Sequence, residues 1–124
     1  MATADADVKK VLNYLKSNGG GNYKVIESWK SEDGSSWYRK WSDGYLEQGG
    51  HKYVGKDSVM QTDVTFPSSF TSSDSYSVVS ALRTSVIDGS PRGLTQSTNK
   101  TATSFVFYAN TSSDGFVEWY ACGF

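Results

Sequence analysis

Past its start, this chain is a series of short alternating or apolar stretches bounded by turn-forming residues, the pattern of many strands, and only near its start do apolar residues recur at helical spacing. Within Thr3 to Asn18 the apolar positions are Ala4, Val8, Val11, Leu12 and Leu15. Asp5 and Asp7 favour the positive N-terminal end of a helix there, and Asn18-Gly19 stops it. Val8, Val11 and Leu15 follow a and d spacing, with Val8 and Leu15 one heptad apart. A helix of about four turns barely holds in water alone, so it needs partners: its own β-domain, or the same helix of sister subunits. Gly19-Gly20-Gly21 follows as a flexible joint. The expected layout is a helical stem and joint over residues 1–21 and a β-rich head over 22–124.

The head opens with an alternating strand from Tyr23 to Lys30, an Asp33-Gly34 turn, an aromatic strand from Trp37, and a second turn at Asp43-Gly44. Read as two-residue turns, both fix a register. The first sets Ile26 against Trp41, Glu27 against Lys40, Ser28 against Arg39, Trp29 against Tyr38 and Lys30 against Trp37. The second sets Trp41 against Leu46, Lys40 against Glu47, Arg39 against Gln48, Tyr38 against Gly49 and Trp37 against Gly50. A three-strand charge ladder of Glu27, Lys40 and Glu47 follows, backed by an apolar row of Ile26, Trp41 and Leu46. Arg39 falls between Trp37 and Trp41, where cation–π stacking suits a packed subunit contact.

Further strands are expected at Ser58 to Phe66, Ser75 to Arg83, Thr103 to Ala109 and Phe116 to Cys122, each bounded by turn-forming residues. The fold class is therefore all-β: an antiparallel sandwich head of about seven strands behind a short N-terminal helix. Phe105 to Tyr108 and Phe116 to Cys122 are apolar on both faces, which predicts burial on both sides. One small sandwich has little interior for two such strands, so a subunit interface is the economical cover. The connection from Thr84 to Ala102 is the one extended irregular segment expected in the head.

Composition narrows the function. Twelve basic against thirteen acidic residues give a net charge of −1, which leaves no electrostatic footprint for nucleic acid and no attraction to anionic membranes. No apolar h-region opens the chain and no run of about 18 apolar residues occurs, so neither secretion nor membrane insertion is expected. The single Cys122 sits in an aromatic strand and is read as a buried thiol, and the sequons at Asn99 and Asn110 as turn chemistry. Asp33, Asp43, Asp88 and Asp114 each precede glycine, as turn formers do. His51 is read as a strand-end residue, although three-fold symmetry could gather three copies around a metal. Glu27 and Glu47 share a face in the expected register but have Lys40 between them, which neutralises charge where a glycosidase needs opposed carboxylates. No cofactor or metal site and no catalytic constellation is expected. Trp29, Trp37, Trp41 and Trp119 are read first as core or subunit interface.

Tyr38-Arg39-Lys40-Trp41-Ser42-Asp43-Gly44-Tyr45-Leu46-Glu47-Gln48-Gly49-Gly50 resembles the signature of phage and prophage tail-fibre C-terminal tip domains. Val64 to Phe70 is similar to that family's strand and Phe-Pro turn, and Phe116 to Phe124 resembles its terminal aromatic strand, so the resemblance covers about residues 23–124. It implies a homotrimeric β-rich fibre tip in the virion, made in the host cytoplasm, binding a host-cell surface glycan or protein without enzymatic activity. Fibres of that family carry long shafts, whereas here Met1 leads almost directly into the helix, as in a short fibre or an excised tip. On this reading Val8, Val11, Leu15, Trp37, Arg39, Trp41 and Trp119 form the trimer interface and scaffold. The receptor site falls on the loops Thr71 to Ser75 and Ser85 to Lys100. Asp88 and Arg92 are the expected hydrogen-bonding contacts and Tyr76 the ring that stacks on a sugar. The alternatives are a trimerisation and assembly domain without receptor contact, and a polysaccharide depolymerase.

Overall fold

A computed structural model describes residues 2–17, 23–54, 60–84, 96–109 and 115–124. One helix, α1 (Ala2–Ser17), precedes eight strands: β1 (Val25–Lys30), β2 (Ser36–Trp41), β3 (Leu46–Val54), β4 (Met60–Thr65), β5 (Tyr76–Thr84), β6 (Gln96–Thr98), β7 (Ser104–Ala109) and β8 (Gly115–Gly123). The strands form a five-stranded sheet in the order β1-β2-β3-β8-β5 and a three-stranded sheet in the order β4-β7-β6. Every pairing is antiparallel, as the alternating pattern predicts. The extra strand, β6, lies in the stretch read from sequence as irregular connection.

The core lies between the two sheets. Leu46, Val54, Tyr76, Val117, Trp119 and Ala121 come from the inner face of the larger sheet, and Val64, Phe105 and Phe107 from the smaller. Phe66 and Phe70, from the connection after β4, close one end: Phe66 meets Phe70, Tyr76 and Trp119 at ring-centroid distances of 5.2, 5.1 and 5.5 Å. One polar residue is fully enclosed with them. Gln48 on β3 donates from Nε2 to the Ser68 carbonyl at 2.7 Å and accepts the Ser68 N–H on Oε1 at 3.0 Å, so both ends of its amide are satisfied by one backbone residue.

The first turn produces the expected register from Glu27 to Lys30. Asp33 organises it, accepting the Ser35 backbone N–H at 2.9 Å and the Ser31 hydroxyl at 2.8 Å. These bonds, the backbone one foremost, hold its carboxyl down at about 2. A bulge between Val25 and Glu27 then puts Val25, not Ile26, opposite Trp41 and leaves Ile26 61% exposed.

The second turn differs from expectation. Trp41 N donates to Tyr45 O at 2.8 Å, Gly44 N to Trp41 O at 3.0 Å, and Gly44 has φ +90°, so Ser42-Asp43-Gly44 is a three-residue loop. The extra residue slides every pair by one position: Trp37 faces Gly49, Tyr38 faces Gln48, Arg39 faces Glu47 and Lys40 faces Leu46. The single charge ladder therefore resolves into two pairs on opposite faces, Lys40–Glu27 at 3.7 Å and Arg39–Glu47 at 3.4 Å. The apolar row through Ile26, Trp41 and Leu46 does not form.

Burial on both faces of β7 and β8 does not occur within one chain. In β8 the residues Val117, Trp119 and Ala121 are buried, while Phe116 and Cys122 are half-buried and Tyr120 is exposed. Trp119, read as core or subunit interface, is 7% exposed and packs in the monomer's own core, because it alternates onto the inner face of a central strand. On α1, Val8, Val11 and Leu12 are 59%, 58% and 49% exposed, and among the described residues no strand makes more than isolated close approaches to the helix. The side chain of Leu15 lies outside the described residues.

Candidate functional site

The outer face of the five-stranded sheet carries the most developed surface. Trp37, Arg39 and Trp41 on β2, Glu47, His51 and Tyr53 on β3, Phe116, Glu118 and Tyr120 on β8, and Val79 and Arg83 on β5 all alternate onto it. Its centre depends on Gly49. A Cβ there would lie 3.1 Å from the Trp37 indole and 2.9 Å from the Trp119 carbonyl, so only glycine lets the indole cross β3 towards Tyr120, whose ring is 6.1 Å away.

Charged pairs brace this aromatic row on both sides. On one side the Arg39 guanidinium sits 5.2 Å over the Trp37 ring and 3.4 Å from Glu47, and the Tyr120 hydroxyl donates to Glu47 at 2.9 Å. Burial, reinforced by the Glu47 carboxylate, pushes the Tyr120 phenol well above its ordinary range. Tyr45 is raised too, first by hydrogen bonding with Cys122 and then by burial. On the other side Arg83 Nε binds Glu118 at 2.6 Å and its guanidinium lies 4.7 Å over Phe116, against which the His51 and Tyr53 rings stand edge-on. Val79, next to Tyr120, is 65% exposed. Two open hollows flank the row: one of 410 Å³ lined by Ser28, Trp29, Lys30, Trp37, Tyr38 and Arg39, and one of 310 Å³ at Val79, Ala81, Glu118 and Tyr120.

The expected receptor contacts fare differently from this face. Asp88 and Arg92 lie outside the described residues. Tyr76 is 4% exposed: its ring stacks on Phe70 at 4.2 Å, its hydroxyl donates to the Thr101 carbonyl at 2.8 Å, and Lys100 Nζ covers it at 4.3 Å. It is a core residue, not a ring offered to ligand. The neighbouring loop keeps Thr71, Ser72 and Asp74 exposed, and it is tied down where Thr71 N and Oγ1 both donate to the Phe124 carbonyl at 3.0 Å. Tyr120, Val79 and Phe116 were not singled out from sequence, although the alternation of the terminal strand, once one face is assigned to the core, places Phe116 and Tyr120 on the outer face.

The glutamates on the two faces of the larger sheet each have a partner that fits a structural role. Glu27 and Glu47 sit on opposite faces, each beside a cation, and Glu118 is paired with Arg83. Among the described residues no three of His, Cys, Asp and Glu converge as metal ligands, and no helix is long and apolar enough to cross a membrane.

The described residues form an antiparallel two-sheet sandwich whose larger sheet is faced with paired aromatics and charges. No protein-family model and no curated protein matches the chain. Solved structures do. The chain is similar to a C-terminal fragment of the R2 pyocin fibre of P. aeruginosa, with a TM-score of 0.63 and 20% identity over 88% of this chain and 28% of the fragment. It is likewise similar to an N-truncated R1-type pyocin tail fibre, with a TM-score of 0.61 and 18% identity over 89% of this chain and 93% of that one. The fold is therefore one that pyocin tail fibres contain, and this chain spans under a third of the longer R2 fragment.

Proposed function

We propose that this chain is a phage-type tail-fibre tip that attaches its particle to a host-cell surface receptor, a glycan or an outer-surface protein, as a homotrimer without enzymatic activity. The observation that carries this reading is the fold shared with R-type pyocin tail fibres over nearly nine-tenths of the chain. Residues 1–21 act as the stem and joint, with Val8, Val11 and Leu15 in the helical seam, and residues 22–124 as the tip. The exposure of Val8 and Val11 supports the stem, since two apolar side chains left open on a short helix are covered when helices associate. The outer face around Trp37, Arg39 and Trp41 serves as subunit contact. Weak sites suffice, because three linked sites raise avidity by about 10²–10⁴ when the geometry lets them engage together.

Gel filtration with light scattering and binding of labelled protein to host cells test the two halves of the proposal. A mass three times the 13.6 kDa of one chain is expected, and a monomer at micromolar concentration refutes the trimer. Labelled protein on susceptible cells is expected, and none on any of them refutes receptor attachment. The aromatic outer face would equally serve an assembly domain that only joins subunits; a trimer that ignores every cell would favour that second reading.

A further inference from the structure

The smaller sheet does not cover the whole inner face of the larger one. Its backbone approaches β3 and β5, and its Phe105 ring meets Trp119 on β8; Tyr38 on β2 packs half-buried against the edge of that core, and β1, exposed along its whole length, overhangs it. There the Trp29 ring stacks on Tyr38, ring centroids 5.8 Å apart and planes within 22°, and Trp29 is 45% exposed although it belongs to a regular strand. The Tyr38 hydroxyl donates to Glu27 at 2.5 Å, Lys40 Nζ stands 3.7 Å from the same carboxylate, and Nζ lies 5.4 Å from the Tyr38 ring centroid. Glu27 and Lys40 keep 50% and 39% of their side-chain surface open.

We propose, resting on the receptor-binding reading, that this overhang is the receptor subsite and that it takes a neutral pyranose sugar. The Trp29 ring, stacked on Tyr38 and 45% exposed, is a flat apolar platform of the kind onto which the C–H face of a pyranose packs. A carboxylate acceptor and an ammonium donor at the platform's edge match vicinal sugar hydroxyls in direction and polarity. Their charges cancel, so the site attracts no net charge and a neutral sugar loses nothing by lacking one.

The test uses the whole chain in its native assembly. Its four tryptophans give four indole N–H resonances, of which Trp29's is the one missing in Trp29→Phe. Methyl pyranosides of neutral hexoses, at roughly 10 mM against a dissociation constant of about 1 mM, should move that resonance and leave the buried Trp119 unmoved. Trp29→Ala should keep the mass of the assembly and reduce binding to host cells by at least about tenfold, and Trp29→Phe should retain most of it. The inference is overturned if no pyranoside moves the Trp29 signal, if only phosphate- or carboxylate-bearing sugars do, or if Trp29→Ala binds cells as the parent does. A Trp29→Ala assembly of lower mass would also overturn it, by making the hairpin a subunit contact. Parent protein that binds no cells refutes the receptor reading instead, a result distinct from a variant that binds as well as its parent.

Discussion

Gln48 offers the sharpest test of the packing, because it is the one polar side chain fully enclosed in the described core and both halves of its amide are committed to Ser68. Gln48→Leu fills the space but strands the Ser68 N–H and C=O; each costs about 1–3 kcal/mol when buried and unsatisfied, and because Ser68 is half-buried and partly open to water, a loss of roughly 1–3 kcal/mol in all is expected. That is a measurable share of the roughly 5–15 kcal/mol that holds such a domain together. Gln48→Glu is more diagnostic. Its Oε1 can still accept the Ser68 N–H, but the other oxygen can meet the Ser68 carbonyl only as a protonated O–H. Burial and that carbonyl both favour the neutral acid, so its folded pKa rises above the usual 4.3 or so of the unfolded chain. A carboxyl raised in the folded state is fully stabilising below its unfolded pKa, and that contribution drains away as pH climbs towards the folded pKa, by about 1.4 kcal/mol per pH unit. Urea unfolding at fixed protein concentration, with the parent subtracted at each pH, should show the deficit of Gln48→Glu growing from pH 4 to pH 7. A deficit independent of pH would refute the enclosed, doubly bonded amide.

Three further outcomes follow from the core and the sheet. Trp119→Ala should cost about 3–5 kcal/mol in urea unfolding, the cost of emptying a core aromatic, whereas a surface interface residue would leave an unfolded-to-monomer transition nearly unchanged. Gly50→Ala should destabilise more than Gly49→Ala in the same assay, because its Cβ would lie 2.3 Å from the Ser35 carbonyl of the adjacent turn, against 2.9 Å from the Trp119 carbonyl at position 49. Tyr38, Tyr45, Tyr76 and Tyr120 all hold their phenol protons above the ordinary range. Unfolded tyrosines ionise near pH 10, so stability should fall as pH rises past about 10, and Tyr120→Phe should flatten that fall in an alkaline unfolding series.

The two hairpin turns show how far residue identity reaches into this fold. Asp33-Gly34 and Asp43-Gly44 are the same dipeptide, yet they close loops of different length, and only the first yields the expected register in full between Glu27 and Lys30. Gly44 occupies the left-handed position that ends a three-residue loop, and Asp43 accepts the Tyr45 N–H at 3.0 Å, a choice the dipeptide alone does not determine. Strand positions and the all-β class followed from alternation, which is local. What alternation could not give was which face is inner. A single residue of slip at the second turn is enough to move Glu47 from Lys40 to Arg39 and so from one side of the sheet to the other. Tyr76 was misread for a related reason: nothing local marks a tyrosine at a strand start as core, and its enclosure comes from Phe66, Phe70 and Lys100, distant in sequence or on another element.

On the proposed reading, the slip also puts assembly and receptor contact on separate surfaces. With Arg39 and Glu47 on the outer face, the row from Trp37 to Tyr120 is bounded by paired charges and broad enough to meet another subunit. With Glu27 and Lys40 on the inner face, beyond the reach of the smaller sheet, the Trp29–Tyr38 pair keeps its own polar edge. A shared three-strand ladder would have spent Lys40 between two carboxylates on a single face and left the other without a charged partner. The two surfaces lie on opposite sides of one hairpin, so copies packed through the outer face need not cover the inner overhang. Charge reversal distinguishes them: Glu47→Lys faces Arg39 with a like charge and should weaken assembly, while Glu27→Lys faces Lys40 and should weaken sugar binding at unchanged mass. Equal effects of both substitutions on both readouts would show that the faces are not separate.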